Sequence, residues 1–498
     1  PGSPANAPGS PVDAPAVAAR IDSFTGKHWQ ENKVRPAGPA GDAEFLRRAT
    51  LDLAGRIPTL AEAKAFAEDR SPDKRARAVR RLMESEEYPL HLGRVLDDLL
   101  MGKYAGDPEF LEYLREAVAQ HKPWDRLFRE VMLGPWDTRE RKRASRFLAK
   151  RQNSLDDLTT DTTRAFFGVN VSCAKCHDHP LVPDWKQDHY YGMASFFNRT
   201  YEAGKGKRNG EVGEKPAGDV TFMTTKGERR TAKVMYLSGK VLDGAAVKSP
   251  TVSRRELLVK AALEEPTFFR RAVVNQLWSY FLGRGLVQPT DQMHSANPPA
   301  VAGLLEWLGD DFAAHGYDLD RLVAGIVSSK TYSLASRRAA PGGDSPAERH
   351  FAQAKLRPLT PQQFAFSLAL ATGDGKFEPR QHRELEGRSA GLLKSQLIDP
   401  RSDRFQSSAG EALFLSNNAE VQKLMAPAGS NLVARLAALP DAGQVVDTAV
   451  WTVLSRAPEA DERAYLVQWL ESRKEGRAKA CGQLVWALVT SAEFRFNH

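Results

Sequence analysis

Cys173-Ala174-Lys175-Cys176-His177 sets two thiols two residues apart with an imidazole directly after them. That order is the attachment pattern of c-type haem. Each thiol adds to one vinyl group of the porphyrin as a thioether, and the imidazole of His177 binds the iron as its proximal ligand. One turn of backbone has to present both sulfurs to one edge of the macrocycle, which is why the spacing matters. A second reading starts from the continuation Asp178-His179-Pro180. Cys173, Cys176, His177 and His179 together are a donor set for zinc or non-haem iron. Structural zinc usually draws two ligand pairs from separate elements, however, and the remaining cysteine, Cys481, stands alone and far away. In a third reading the two thiols staple a loop of a cell-envelope interaction scaffold. A thioredoxin-like motif would open a helix after a strand, whereas Thr159 to Val171 carries a helical pattern.

The ligand on the far face of the iron decides the chemistry. Methionine raises the potential and suits electron transfer, and an open position admits small molecules. Met193, Met293, His189 and His294 are the candidates. His179 is too close to His177 in sequence to reach the opposite face, and it is kept as a candidate ligand of a second metal or a proton shuttle. Met193 sits in an aromatic-rich helical pattern, where methionine is usually core filler. Met293 lies between Asp291 and Asn297-Pro298-Pro299, in a loop expected at a cleft, and is the preferred distal ligand. That choice would close two modules over the haem. Asp178 and His179 read first as a turn held by local hydrogen bonds and ended by Pro180. Trp185, Tyr190, Tyr191, Phe196 and Phe197 either line the haem edge or form core. No hydrolase elbow, phosphate loop or facing pair of carboxylates appears, so whether the chain is an enzyme stays open.

The elements that position these residues read as mainly α: two helical modules joined by a small β-hairpin insert. Thr59-Leu60-Ala61-Glu62, Ser253-Arg254-Arg255-Glu256 and Thr360-Pro361-Gln362-Gln363 are helix-start signals of the capping-box type. Ser71-Pro72 predicts another start. Leu484, Val485, Leu488 and Val489 make one apolar face of a last helix that also holds Cys481 as a small buried hydrophobe. Within 201–250, Val220–Met223 and Lys233–Leu237 alternate about the turn signal Thr225–Glu228 and predict one antiparallel hairpin with flexible flanks. The division is then a Pro/Ala-rich disordered tether over 1–20, a module with the cysteine motif over 21–200, the insert over 201–250, and a C-terminal module over 251–498. Arg337 to Glu348 reads as a loop.

The chain of 498 residues has an ordinary globular composition and a net charge of +8. No stretch approaches the ~20 apolar residues of a membrane helix. Basic residues crowd into 139–151, from Arg139 to Arg151. They are either a solvated helix face or a docking patch for an acidic redox partner or an anionic polysaccharide. Nucleic acid is not expected, because no basic stripe is interleaved with aromatics. The chain starts at Pro1, so a leader or anchor is expected to have been removed. Covalent haem would place maturation outside the cytoplasm, in the periplasm or cell envelope.

Ala174 to Pro180, followed by Trp185 and Tyr191-Gly192-Met193-Ala194-Ser195-Phe196-Phe197, resembles the planctomycete-type cytochrome-like family of paired domains of unknown function. Arg47 to Thr59 is similar to the opening of its first domain. Asn275-Gln276-Leu277-Trp278, Phe281 to Val287, Asp291 to Met293, Asn297-Pro298-Pro299, Ser329 to Tyr332 and the ending Ser491 to His498 resemble its second. The resemblance covers nearly everything after the tether. It implies haem attachment and export, and leaves the biochemical role open. Two departures stand out: there is no second Cys-x-x-Cys-His, and His294 occupies a position where the family often shows arginine.

Overall fold

The computed structural model describes residues 14–180, 182–203, 211–337, 347–373, 383–384 and 418–498. They are mainly α-helical, with small two-stranded antiparallel sheets. Two compact units emerge, and each draws on separated stretches of chain. One gathers residues up to Arg35, Pro89–Ser329 and Pro346–Phe351. The other gathers Pro36–Tyr88, Lys330–Ser345 and Ala352–His498. The division expected from the sequence followed chain order and separated 21–200 from 251–498. Contacts instead join 89–200 with 251–329 in one unit.

The first unit has an aromatic centre. Phe128 lies 4.9 Å from Phe166 and 4.8 Å from Phe269, ring centre to ring centre. Its N-terminal helix, Ala14–Glu31, corrects the expectation of a disordered tether over 1–20. Val17 and Ile21 are fully buried. Val17 seats against Gly325 in the helix Leu319–Val327, where a Cβ would come within 2.4 Å of it. An alanine- and valine-rich segment finds a core once a partner helix offers a glycine groove, which composition alone does not reveal. The rest of the expected tether, 1–13, lies outside the described residues, as do residues 338–346 of the expected 337–348 loop.

The second unit is built on Leu432, Val446, Val450 and Val485. Cys481 is buried there, as expected. Several charges of the Arg47–Thr59 stretch are interior. Arg56 pairs with Glu62 and Glu87, and Asp52 accepts from Tyr332, Arg357 and Asn497. The capping boxes at Thr59 and Thr360 form in full. Ser253 caps the helix Arg254–Glu264 through the Glu256 N–H. The start expected at Ser71 is displaced: Ser71 donates to Asp69, and the helix begins at Lys74 after Asp73.

The insert is more divided than expected. Thr200–Ala203 pairs with Glu211–Glu214, Thr221–Met223 with Arg229–Thr231, and Val234–Met235 with Val241–Leu242. Met223 therefore pairs with Arg229 rather than with the apolar run 233–237. The tight turn closed by the Gly227 N–H on the Thr224 carbonyl selects the nearer partner.

A buried acid in the first unit gives a pH prediction. Asp97 is fully buried; its Oδ2 accepts from the Gly106 N–H at 2.6 Å, and its Oδ1 has no hydrogen-bond partner. Burial pushes its pKa up to about 7, against the pull of the Gly106 N–H and Arg94. A carboxyl raised in the folded state costs stability as pH climbs from the ordinary carboxylate range through that value, and the cost stays constant above it. At about 1.4 kcal/mol per pH unit the full cost is about 4 kcal/mol. Asp97→Asn is expected to abolish that loss. Urea unfolding at about pH 8 should show the variant more stable by a few kcal/mol, and at about pH 5 much nearer to wild type. Equal stabilities at both pH values would refute a neutral Asp97.

Candidate haem-attachment site

The helix Leu155–Phe167 leads into the site. Ser154 caps it through the Asp157 N–H, and Gly168 ends it in the left-handed region at φ 64°. The chain is then pinned to a distant loop. Val169 bridges Gln292, the Asn170 N–H donates to the Asp291 carbonyl at 2.7 Å, and the Met293 N–H donates to the Gly168 carbonyl at 3.1 Å. Asp291 also accepts from Arg164 at 2.9 Å. The Met293 loop thus lies against the stretch that leads into the cysteine turn. Both lie in one compact unit, which corrects the picture of two modules closing over a haem.

Beyond Asn170, which accepts from the Ser172 N–H and hydroxyl, the chain makes a single 3₁₀ turn, Ser172–Lys175. Ala174 points into the core, while Cys173 and Cys176 are exposed free thiols. The backbone of this turn is held from outside. Gln187 Nε2 donates to the Cys176 carbonyl at 3.0 Å, and the Tyr191 hydroxyl donates to that of Lys175 at 3.0 Å. Lys175 pairs with Asp156, which also accepts from Tyr190. Burial, then Asp156, holds the Tyr190 hydroxyl in its protonated form.

The two histidines after the turn are held in opposite tautomers. His177 is exposed, and its Nδ1 lies 2.7 Å from the Asp178 carbonyl. A carbonyl only accepts, so Nδ1 carries the proton and Nε2 keeps a free lone pair. At His179 the Val182 N–H donates to Nδ1 at 3.1 Å, so in the neutral ring Nε2 carries the proton. Asp178 accepts from the Gln187 N–H and starts the helix Gln187–Ala194. The local-turn reading of Asp178 and His179 describes this geometry. Among the described residues no three His, Cys, Asp or Glu side chains converge as a metal site.

The candidate far-face ligands are mostly engaged elsewhere. Met193 is fully buried. Met293 is 5% exposed, and its sulfur packs on Gly168, 3.0 Å from where a Cβ would stand. His189 Nδ1 accepts from the Lys186 N–H, its ring packs edge-on to Trp185, and burial lowers its pKa. His294 Nδ1 is buried without a hydrogen-bond partner, and burial lowers its pKa as well. Trp185, Tyr190, Phe196 and Phe197 are core.

One neighbour of the turn was not legible in the sequence. The hairpin Thr221–Met223/Arg229–Thr231 docks on it. Phe222 stacks on Tyr191 with ring centres 4.1 Å apart, and Gln187 Nε2 also reaches the Met223 carbonyl at 3.4 Å.

The expected docking run 139–151 is tied to the chain's own carboxylates. Arg141 pairs with Asp137, Arg143 with Glu109 and Glu116, and Arg146 and Lys150 with Asp107. Arg151 is buried against Phe147 and paired with Asp161. These pairings remove the reason to assign the run to an acidic redox partner or an anionic polysaccharide.

Residues 20–202 match the PSCyt2 family model, a protein of unknown function (DUF1549). Residues 253–391 match PSD1, a protein of unknown function (DUF1553). The chain carries these two domains in tandem. The DUF1549 match contains the cysteine turn, and the DUF1553 match contains the loop that pins it through Asp291 and Met293. No curated protein and no solved structure matches the chain. No described helix is long and apolar enough to cross a membrane.

Proposed function

We propose that this chain is a single-haem c-type protein of the periplasm or cell envelope that passes electrons. One observation carries the reading: two exposed thiols on one turn are followed by an exposed imidazole already in the ligand tautomer. When bound, the haem supplies one-electron exchange at its iron. Cys173 and Cys176 would hold it, each sulfur bonding one vinyl carbon while the thiol hydrogen goes to the neighbouring carbon. His177 would bind through Nε2. The Nδ1–H bond to the Asp178 carbonyl fixes the ring's orientation. Gln187 and Tyr191 keep the turn in shape by holding its carbonyls. The four-ligand zinc or non-haem iron alternative is less well served, because His179 is held in the opposite tautomer and its Nδ1 is engaged.

The test is an intact mass and a pyridine haemochrome spectrum on protein matured through an export and haem-attachment pathway. One covalent haem per chain is expected. A bare polypeptide mass from that pathway overturns the reading.

A further inference from the structure

The geometry points to Met223, in the hairpin insert, as the second axial ligand of the iron; this inference rests on the haem reading above. A ligand opposite His177 must come from a side chain that is near the cysteine turn, chemically suited to iron, and not already part of the core. Met193 and Met293 fail the last condition, since both are buried and the Met293 sulfur fills the space over Gly168. His189 fails too, with one ring nitrogen engaged and the ring packed on Trp185. His294 sits in a loop whose next residue, Ser295, is bound through its N–H and hydroxyl to Asp184, and its unpartnered nitrogen is buried.

Met223 is chemically suited and outside the core, and its backbone borders the cysteine turn. A single amide nitrogen, Gln187 Nε2, lies 3.0 Å from the Cys176 carbonyl and 3.4 Å from that of Met223, so the two backbones are neighbours. Strand alternation turns Phe222 inward onto Tyr191 and leaves Met223 on the outer face. Its side chain is 57% exposed, and few other large apolar residues are exposed among the described residues. Methionine is normally a buried residue, and its flexible thioether is a soft ligand suited to haem iron. Both thiols and the His177 ring are exposed as well, so these groups and the Met223 thioether are all open to solvent within one compact unit. The resulting His/Met coordination is the kind that raises a potential for electron transfer.

The experiment compares wild type, Met223→Leu, Met223→His and Met293→Leu, all matured as the full chain with covalent haem. Haem content is read by pyridine haemochrome and intact mass. Iron coordination is read by the near-infrared sulfur-to-iron band of the ferric state and the ring-current-shifted methionine methyl signal of the ferrous state. Wild type and Met293→Leu are expected to show both signatures. Met223→Leu should lose them at unchanged haem content, with a lower midpoint potential. Met223→His should restore a six-coordinate low-spin spectrum of the two-histidine type, which a merely structural role for Met223 would not produce. Signatures that survive in Met223→Leu, vanish in Met293→Leu, or are missing from haem-loaded wild type overturn the assignment while the haem reading stands. Absence of haem from every variant overturns both.

Discussion

Replacing Cys173 and Cys176 together by alanine is expected to eliminate covalently held haem while leaving the fold intact. The separation of these effects follows from burial. Both side chains are exposed, and neither thiol is in a disulfide. The turn that carries them is held through backbone carbonyls by Gln187 and Tyr191 and through the buried Ala174, none of which the substitutions touch. An exposed substitution away from such features usually changes stability by no more than about 0.5 kcal/mol. Far-ultraviolet circular dichroism and the unfolding midpoint should therefore match wild type, whereas haem retained after acid–acetone extraction should fall to background. Each single variant should keep its haem through one thioether and one intact vinyl group, with the reduced haemochrome band moved to longer wavelength. If the double variant holds as much haem as wild type through extraction, the cysteines are not the attachment points. If it loses its fold, the thiols are structural and the turn is not the free platform described here.

Asp52→Ala is expected to destabilise the second unit by about 3–5 kcal/mol, the scale for removing one partner of a buried ion pair. The Asp52 carboxylate is buried and accepts from the Tyr332 hydroxyl at 2.7 Å, Arg357 at 2.8 Å and Asn497 at 2.7 Å. Alanine leaves the Arg357 charge and two neutral donors facing a void. The cost comes mainly from removing the carboxylate that Arg357 faces, so Asp52→Ala combined with Arg357→Met should recover part of the loss. Urea denaturation of wild type and the two variants measures this, and the haem content of folded protein should not change. A loss within about 1 kcal/mol for Asp52→Ala would mean that the cluster is not a determinant of stability.

Local chemistry was readable wherever a few neighbouring residues suffice. Thr59 with Glu62, and Thr360 with Gln363, form their capping boxes because donor and acceptor lie three residues apart. Ser71-Pro72 carried the same kind of signal and lost, since Asp69 engages Ser71 first and the helix opens at Lys74. The similarity at Asn275-Gln276 has a structural explanation too. Asn275 ties down both backbone groups of Val287 at 2.9 Å, and Gln276 donates to the final carbonyls of the helix ending at Phe167. Charge counting over 139–151 does not see Asp107, Glu109 and Glu116 folding back onto Arg143, Arg146 and Lys150.

By itself, the order of residues from Cys173 to His177 determined which chemistry to look for, and the caps and apolar periodicity determined a mainly helical chain, because both depend on atoms a few bonds apart. Only the tertiary structure decided that the thiols face outward, that His177 and His179 adopt opposite tautomers, that residues 14–20 join a core, and that Met293 is buried while Met223 is left open beside the turn. Those outcomes depend on which distant surface each side chain meets. Gly325 meeting Val17 and Gln187 reaching both Cys176 and Met223 are contacts between segments with no common sequence pattern, formed when packing and hydrogen-bond satisfaction are met throughout the unit at once.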